Sequence, residues 1–401
     1  MNCVLFSRRK YQKVRTNPEG APPNVADCTV VLAESSYLYT GAAITPGVTV
    51  KDADGNALTV NVDYFVAYRD NTEVGQGVVV ITGAGSYVGQ TSKTFIITAS
   101  AWTFDLAKTT AGAWVEQKSV VNASSNDHAY GIRLQNDGSL TAGMFTSGFA
   151  RLTFGGTAFS VDGMTANVYG TTGSDYFYCG TWRPDGKKFY ARKARGNFRV
   201  YNTTAIGSGI RGGTDGNLTD DKYADETWDE SAFLPSGETV ASRAPFQFGD
   251  NGYSLYLLCT VNNRYHLSRV SLGTPYELST AKGYADVSIE TKGDPVTPYF
   301  YTNAIADFCF SPDGNYILLL VSATKAFYLI KYKLPSPWDI SGEWTLESYA
   351  DFATVGALGG DIGTLMTFCI DKAGTKAIVS LAGYDADNAY KYAFVEYNLA
   401  S

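Results

Sequence analysis

Only two histidines, His128 and His266, occur in 401 residues. Lying in different units, they argue strongly against a His-based zinc site and leave a Ser-His-Asp triad little to draw on. Each histidine is expected on a strand or at the surface. The six cysteines (Cys3, Cys28, Cys179, Cys259, Cys309, Cys369) contain no CxxC pair and no clustered framework, so they read as free, mostly buried thiols. No apolar run reaches the length of a membrane span, which argues against membrane insertion. No phosphate loop, dinucleotide fingerprint or nucleophile elbow is present. Runs of apolar residues at helical spacing behind a capping signal are missing as well. A formal charge of −7 argues against nucleic acid as a partner, since binding phosphates requires a basic face. The opening MNCVLFSRRKYQKVRTNPEG lacks the apolar region and cleavage site of a secretory signal.

What is abundant points one way. Aromatics make up 14% of the chain, with 28 Tyr and 21 Phe beside 41 Gly. That balance favours strands and turns over helices, and the reading is all-β. Residues 1–24 read as a tail and linker carrying the one basic cluster, Arg8, Arg9, Lys10, Lys13 and Arg15. Such a cluster would dock on an acidic partner surface if it does not remain a solvated tail. Residues 25–99 hold short strand candidates such as YFVAY, VVVI and TFIIT, separated by DADGN, RDN and TGAG turns. Strands of that length and spacing fit a small β-sandwich.

One ordered series in this segment is specific. It runs Tyr39-Thr40-Gly41, Pro46, Val50, Leu58, Asp63-Tyr64, Tyr68, Asn71, Gly75, Ile81-Thr82-Gly83, Gly85, Tyr87, Gly89, Phe95 and Ile97. It resembles the bacterial immunoglobulin-like repeats of cell-surface and phage virion proteins. The resemblance implies a spacer or docking module with no catalytic residues.

Residues 100–401 are dominated by a repeated phrase. CFSPDGNYILLLVS from Cys309 stands beside TWRPDGKKFYARK from Thr181, QFGDNGYSLYLLCTV from Gln247, CIDKAGTKAIVSLAG from Cys369 and a weaker RLQNDGSLTAGMF from Arg133. Each pairs an apolar strand with an Asp/Asn-Gly turn and a second strand; the turn needs positive φ at Gly. Third strands follow at Phe149, Phe198, Tyr265, Phe327 and Tyr392, then a linker and a fourth strand. A four-stranded meander repeated in this way is the unit of a β-propeller. Five units register, and a sixth exists only if residues 203–242 hold another. The last unit ends without a fourth strand, and FDLAKTTAGAWVEQKSV from Phe104 is expected to supply it, so that both ends of the propeller segment share one blade. The SPDG, RPDG, YELS and WDIS phrases resemble YVTN and WD40-like repeats; Trp338-Asp339 falls in a linker and is not read as a true WD signature.

No catalytic residue and no cofactor emerges from these patterns. The segment TDGNLTDDKYADETWDE offers Asp215, Asp220, Asp221 and Asp225 as Ca²⁺ ligands, against the plainer reading of a solvated acidic insertion. Asp52–Asn56 reads as a hairpin turn. Cys179, Cys309 and Cys369 fall at or near equivalent places on approach strands, which predicts a common inner layer of packing thiols. Tyr276, Tyr284, Trp338, Trp344 and Tyr384 are the loop aromatics expected to meet a ligand or partner.

Together the resemblance and the missing export signal lead to an expectation of a non-enzymatic bacteriophage virion protein, a capsid decoration, head fibre or tail-associated component. It would be assembled in the host cytoplasm, attached to other virion proteins through residues 1–99, and would display the propeller on the virion surface, as a homo-oligomer where the particle's symmetry calls for one. A bacterial cell-surface protein is the alternative location. The alternative functions are a carbohydrate- or receptor-binding adhesion module acting on a host surface glycan, and a polysaccharide-degrading enzyme on a propeller scaffold.

Overall fold

A computed structural model describes residues 21–39, 43–72, 75–98, 102–121, 129–144, 148–155, 159–169, 177–193, 197–207, 224–229, 231, 238–240, 245–261, 264–289, 305–323, 326–356 and 358–400. The chain divides into two compact units, residues 1–100 and 101–401.

The first unit contains β1 (Thr29–Leu32), β2 (Ser36–Leu38), β3 (Val48–Lys51), β4 (Tyr64–Arg69), β5 (Gly75–Gly83) and β6 (Gln90–Thr98). β1 pairs with β3, and the second sheet runs β2-β6-β5-β4 with β2 parallel to β6. Alternation along the strands sends Val50, Tyr64, Val79, Ile81, Phe95 and Ile97 into one core fed by both sheets. Pro23 and Asn24, placed in the tail by composition, already belong to this unit. Val88 donates its amide to the Pro23 carbonyl (2.9 Å) and Asn24 bridges to Val88.

The second unit opens with β7 (Asp105–Glu116) and the short helix α1 (Gln117–Val121). The first blade is β8 (Ala129–Leu134), β9 (Leu140–Met144), β10 (Gly148–Thr153) and β11 (Thr165–Tyr169). The second is β12 (Phe177–Trp182), β13 (Lys188–Lys193), β14 (Asn197–Asn202) and β15 (Glu226–Asp229). In the third, β16 (Glu238–Val240) and β17 (Phe246–Gly249) share the inner edge of β18 (Ser254–Val261), followed by β19 (Arg264–Leu272) and β20 (Ala281–Ser288). The fourth is β21 (Ile305–Phe310), β22 (Tyr316–Ala323), β23 (Ala326–Lys333) and β24 (Thr345–Asp351); then come α2 (Phe352–Val355), β25 (Gly359–Ile370), β26 (Lys376–Asp385) and β27 (Tyr390–Ala400). The fifth sheet runs β25-β26-β27-β7, so the missing outer strand is supplied from the start of the unit.

Each blade buries one face against the next. Apolar clusters join the first blade to the second, the second to the third, the third to the fourth, the fourth to the fifth, and the fifth back to the first through Cys369, Ile378 and Phe394. Five sheets whose cores close on themselves make a five-bladed β-propeller. Among the described residues, 203–242 contribute the outer strand of the second blade and the short β16, and no sixth sheet.

The repeated Asp-Gly turn does more than reverse the chain. In the fourth blade Asp313 accepts from the Asn315 amide (3.0 Å) and the Ser311 hydroxyl (2.5 Å). Gly314 takes φ +72°, and the Trp338 ring of the following linker lies directly on it. Trp338 sits at φ +64° and donates its amide to the Gly314 carbonyl (2.9 Å). Tyr276 does the same over Gly252 in the third blade (2.9 Å, φ +62°). In the fifth blade the ring on Gly374 is Trp102, which arrives with the closing strand. Gly138 in the first blade has no such cover. Gly314→Ala is therefore expected to cost about 2–5 kcal/mol, a left-handed penalty plus overpacking. Gly138→Ala, with the strain alone, should cost about 1–2 kcal/mol. Equal shifts in urea midpoint for the two would remove Trp338 from this role.

Candidate functional site

The inner strand of every blade presents one unpaired edge to the propeller axis, and buried backbone amides there need partners. Side chains of neighbouring blades provide them. Gln135 Oε1 accepts from the Trp182 amide (2.9 Å), Gln247 Oε1 from the Phe310 amide (2.9 Å), and Thr367 Oγ1 from the Ile132 amide (2.8 Å).

At the centre of this stitching is an ion pair. Arg133 on β8 donates Nη2 to Asp307 Oδ1 (2.8 Å) and Nη1 to Asp307 Oδ2 (3.0 Å), bridging the first and fourth blades. Its Nε reaches the Phe246 carbonyl of the third blade (2.9 Å), and Nη1 also reaches its neighbour's Ile132 carbonyl (2.8 Å). Thr367 of the fifth blade donates its hydroxyl to Asp307 Oδ2, and the Phe308 amide donates to Oδ1 (2.8 Å). Asp307 is fully buried and Arg133 nearly so. Burial alone would lower the guanidinium pKa; the carboxylate beside it reverses that and raises it. Bidentate geometry with every carboxylate oxygen bonded is the arrangement in which a buried pair is tolerated. The axis is bolted by four blades.

The expected inner layer of thiols surrounds the bolt. Cys179, Cys309 and Cys369 are buried on β12, β21 and β25, and burial raises the pKa of each. Among the described residues no cysteine forms a disulfide, and Cys259 lies on a second strand rather than an inner one. Buried tyrosines behave likewise. Tyr190, Tyr256 and Tyr397 donate to the carbonyls of Tyr276 (2.7 Å), Trp338 (2.5 Å) and Gly356 (3.1 Å), and burial raises all three; Tyr276 is pushed up to about 12. An acid whose folded pKa is raised stabilises the fold fully below its unfolded pKa, and that stability is lost as pH rises towards the folded value. The unfolded thiols ionise from about pH 9 and the tyrosines from about pH 10. Lys331, lowered by burial where it donates to the Trp102 and Phe104 carbonyls (2.7 and 3.0 Å), opposes this as a single group. Unfolding free energy should therefore fall by roughly 1.4 kcal/mol per pH unit for each buried acid above those thresholds. Urea midpoints at pH 8, 9, 10 and 11 under reducing conditions check it; a flat profile would contradict the burial of these groups.

Of the aromatics expected to face a ligand, three do not. Trp344 is buried with its Nε1 on the Ile340 carbonyl (3.1 Å). Trp338 packs on Gly314, Phe310 and Tyr256, and Tyr276 on Gly252 and Phe248. Their linkers look polar in sequence, yet positive φ at Tyr276 and Trp338 turns the rings inward. Tyr284 is exposed, but on the outer strand β20 rather than a loop. Tyr384 is exposed at the end of β26. There it meets two aromatics the sequence reading passed over, Tyr390 and Tyr392, with ring centroids 5.1 Å (Tyr384–Tyr390) and 5.7 Å (Tyr390–Tyr392) apart.

The acidic candidates separate. Asp215, Asp220 and Asp221 lie outside the described residues, as do His128, Cys3 and the basic cluster Arg8, Arg9, Lys10, Lys13 and Arg15. Asp225 accepts from the Asn202 amide (2.6 Å), a role within its own blade. Among the described residues no group of three metal-ligating side chains converges. Asp52 spends Oδ1 on the amides of Asp54 and Asn56 (3.1 and 2.8 Å), as a turn residue does. His266 stands on β19 with Nδ1 2.7 Å from Asp286 Oδ2.

Neither a family profile nor a curated protein sequence matches the chain. Solved structures that match the chain include a protein from Lactobacillus plantarum, 11% identical over 86% of this chain and 89% of that one, with a TM-score of 0.33. Others are the C-terminal WD40 domain of Sif2 (10% identity; 73% and 98% covered; TM-score 0.33) and the β-propeller domain of Cps50 (Swd1) from Myceliophteria thermophila (9% identity; 94% and 95% covered; TM-score 0.32). The propeller assignment rests on this chain's own sheet connectivity and closed ring of cores.

Proposed function

We propose that the chain is a non-enzymatic structural protein of a bacteriophage particle, anchored through residues 1–99 to other virion proteins and displaying its propeller on the virion surface. The observation that carries this reading is the bolted axis. Propeller blades surround a central channel, and here its buried side chains are committed to one another through the Arg133–Asp307 pair. That favours a scaffold whose outer surface does the work. The immunoglobulin-like resemblance of Tyr39 to Ile97 supports attachment through the first unit, as spacer and docking modules of virions carry such repeats. Antibodies raised separately against residues 25–99 and against the propeller test it on purified particles. The propeller antibody is expected to label intact particles, and the other only disrupted ones. Absence of the protein from particles would overturn the proposal. The adhesion reading has one observation in its favour, the tyrosine cluster at the end of the fifth blade.

A further inference from the structure

We infer that Tyr384, Tyr390 and Tyr392 form a binding platform for neutral hexose units of a polysaccharide, a role beyond the structural one proposed above and independent of it. Tyr384 and Tyr390 are directly opposed across β26 and β27, and Tyr392 follows on the same face. The first two expose 39% and 48% of their surface. Their rings brace one another edge to face, at 72° for Tyr384–Tyr390 and 89° for Tyr390–Tyr392.

The platform is held before any ligand arrives. Tyr390 lies across β25 where Gly363 leaves room; a Cβ there would stand 3.2 Å from the ring. The hairpin below it is pinned by Asp385, whose amide donates to the Ala389 carbonyl (3.0 Å) and whose Oδ1 accepts from the amides of Asp387 (3.0 Å) and Ala389 (2.8 Å). A rigid aromatic surface loses little side-chain entropy on binding.

Size and charge select the ligand class. Three rings offer far less than the roughly 800 Å² per partner of a stable protein interface, which fits one or two sugar rings instead. The C–H face of a pyranose is apolar with slight positive character and complements the negative face of a tyrosine ring. Asp387, in the turn joining Tyr384 to Tyr390, and Asp361, on β25 next to the residue paired with Gly383, are exposed acceptors available to sugar hydroxyls. The same carboxylates, with Asp385 and Glu116, repel an anionic polymer. Lys391, between Tyr390 and Tyr392 in sequence, is already placed 3.7 Å from Asp385 and 3.8 Å from Glu116.

The full chain should be retarded in native gels containing dextran, laminarin or galactomannan, in at least one of the three, and not in alginate. Tyr384→Ala and Tyr390→Ala should each weaken the retardation at least tenfold, while Tyr349→Ala, at an exposed tyrosine of the fourth blade, leaves it unchanged. Free migration in all three neutral gels, retardation by alginate alone, or retention in both platform variants would overturn the inference. Acetylation with N-acetylimidazole gives a readout on the unaltered chain. The retarding polysaccharide should protect Tyr384 and Tyr390 but not Tyr349, and equal modification of all three would also overturn it. Labelling of particles by the propeller antibody is unaffected by either outcome, so the two proposals fail separately.

Discussion

Replacing Arg133 with methionine is expected to lower the unfolding free energy by about 3–5 kcal/mol, because Asp307 is left charged and buried without its partner. Asp307→Leu should cost a similar amount, stranding the guanidinium instead. The double variant is the informative one. With both charges replaced by apolar groups of similar volume, most of the loss should return, leaving a deficit of about 1 kcal/mol or a slight gain. Urea unfolding of the four proteins completes a double-mutant cycle. Single-variant losses below about 1 kcal/mol would mean the pair is solvated and the axis open. The comparison separates the cost of breaking the pair from any net benefit of having it.

Removal of the closing strand should be more damaging still. A chain beginning at residue 117 loses Trp102, Phe104 and Leu106 from the core between the fourth and fifth blades. At about 1.5–3 kcal/mol for each large buried side chain, that loss approaches the whole stability of a typical domain, about 5–15 kcal/mol. The same truncation exposes the outer edge of β27 and leaves the buried Lys331 ammonium without the Trp102 and Phe104 carbonyls. Such a chain is expected to lose its near-ultraviolet circular dichroism and to aggregate. A chain beginning at residue 101 keeps β7 and should melt as a closed ring. Adding a peptide of residues 101–116 to the shorter chain should restore part of the signal by strand addition. Identical melting of the two chains would show that ring closure contributes nothing.

Much of the propeller was legible because its signals are local. Asp-Gly turns, a second strand at a set distance and a third behind it recur within each blade, so Asp313-Gly314 could be aligned with Asp185-Gly186 by eye. The displaced strand at Phe104 followed from counting, since the last unit was one strand short. The axial bolt is a different kind of information. Arg133 and Asp307 lie 174 positions apart, and no local rule pairs them. A signal was nonetheless present: YGIRLQ and IADFCF each place one charge inside an otherwise apolar inner strand, and the charges are opposite. A charge in a strand with no solvent-facing side needs a counterpart. The aromatic linkers misled for the converse reason. Polar neighbours such as Ser336, Asp339 and Ser341 suggested a surface loop, whereas the backbone conformation at Trp338 turns its ring into the blade. At the fifth blade only the hairpin register shows that Tyr384, Tyr390 and Tyr392 share a face, although Tyr384 alone was already in view.

The closing strand also sets a schedule. β7 lies near the start of the propeller's sequence and pairs with β27, at the far end of the propeller, which leaves the ribosome long after it. At roughly 5–20 residues per second, the intervening chain takes on the order of 15–60 s to synthesise. Until the fourth blade emerges the apolar side chains of Trp102, Phe104 and Leu106 have none of their core neighbours, and until the fifth follows they lack the rest. The four complete blades can form their own hairpins as they emerge, but the fifth cannot pair with β7 until β27 has been made. Translation pauses between β7 and β27 would therefore lengthen the period in which this segment invites a chaperone or a neighbouring chain, even after the first four blades have folded.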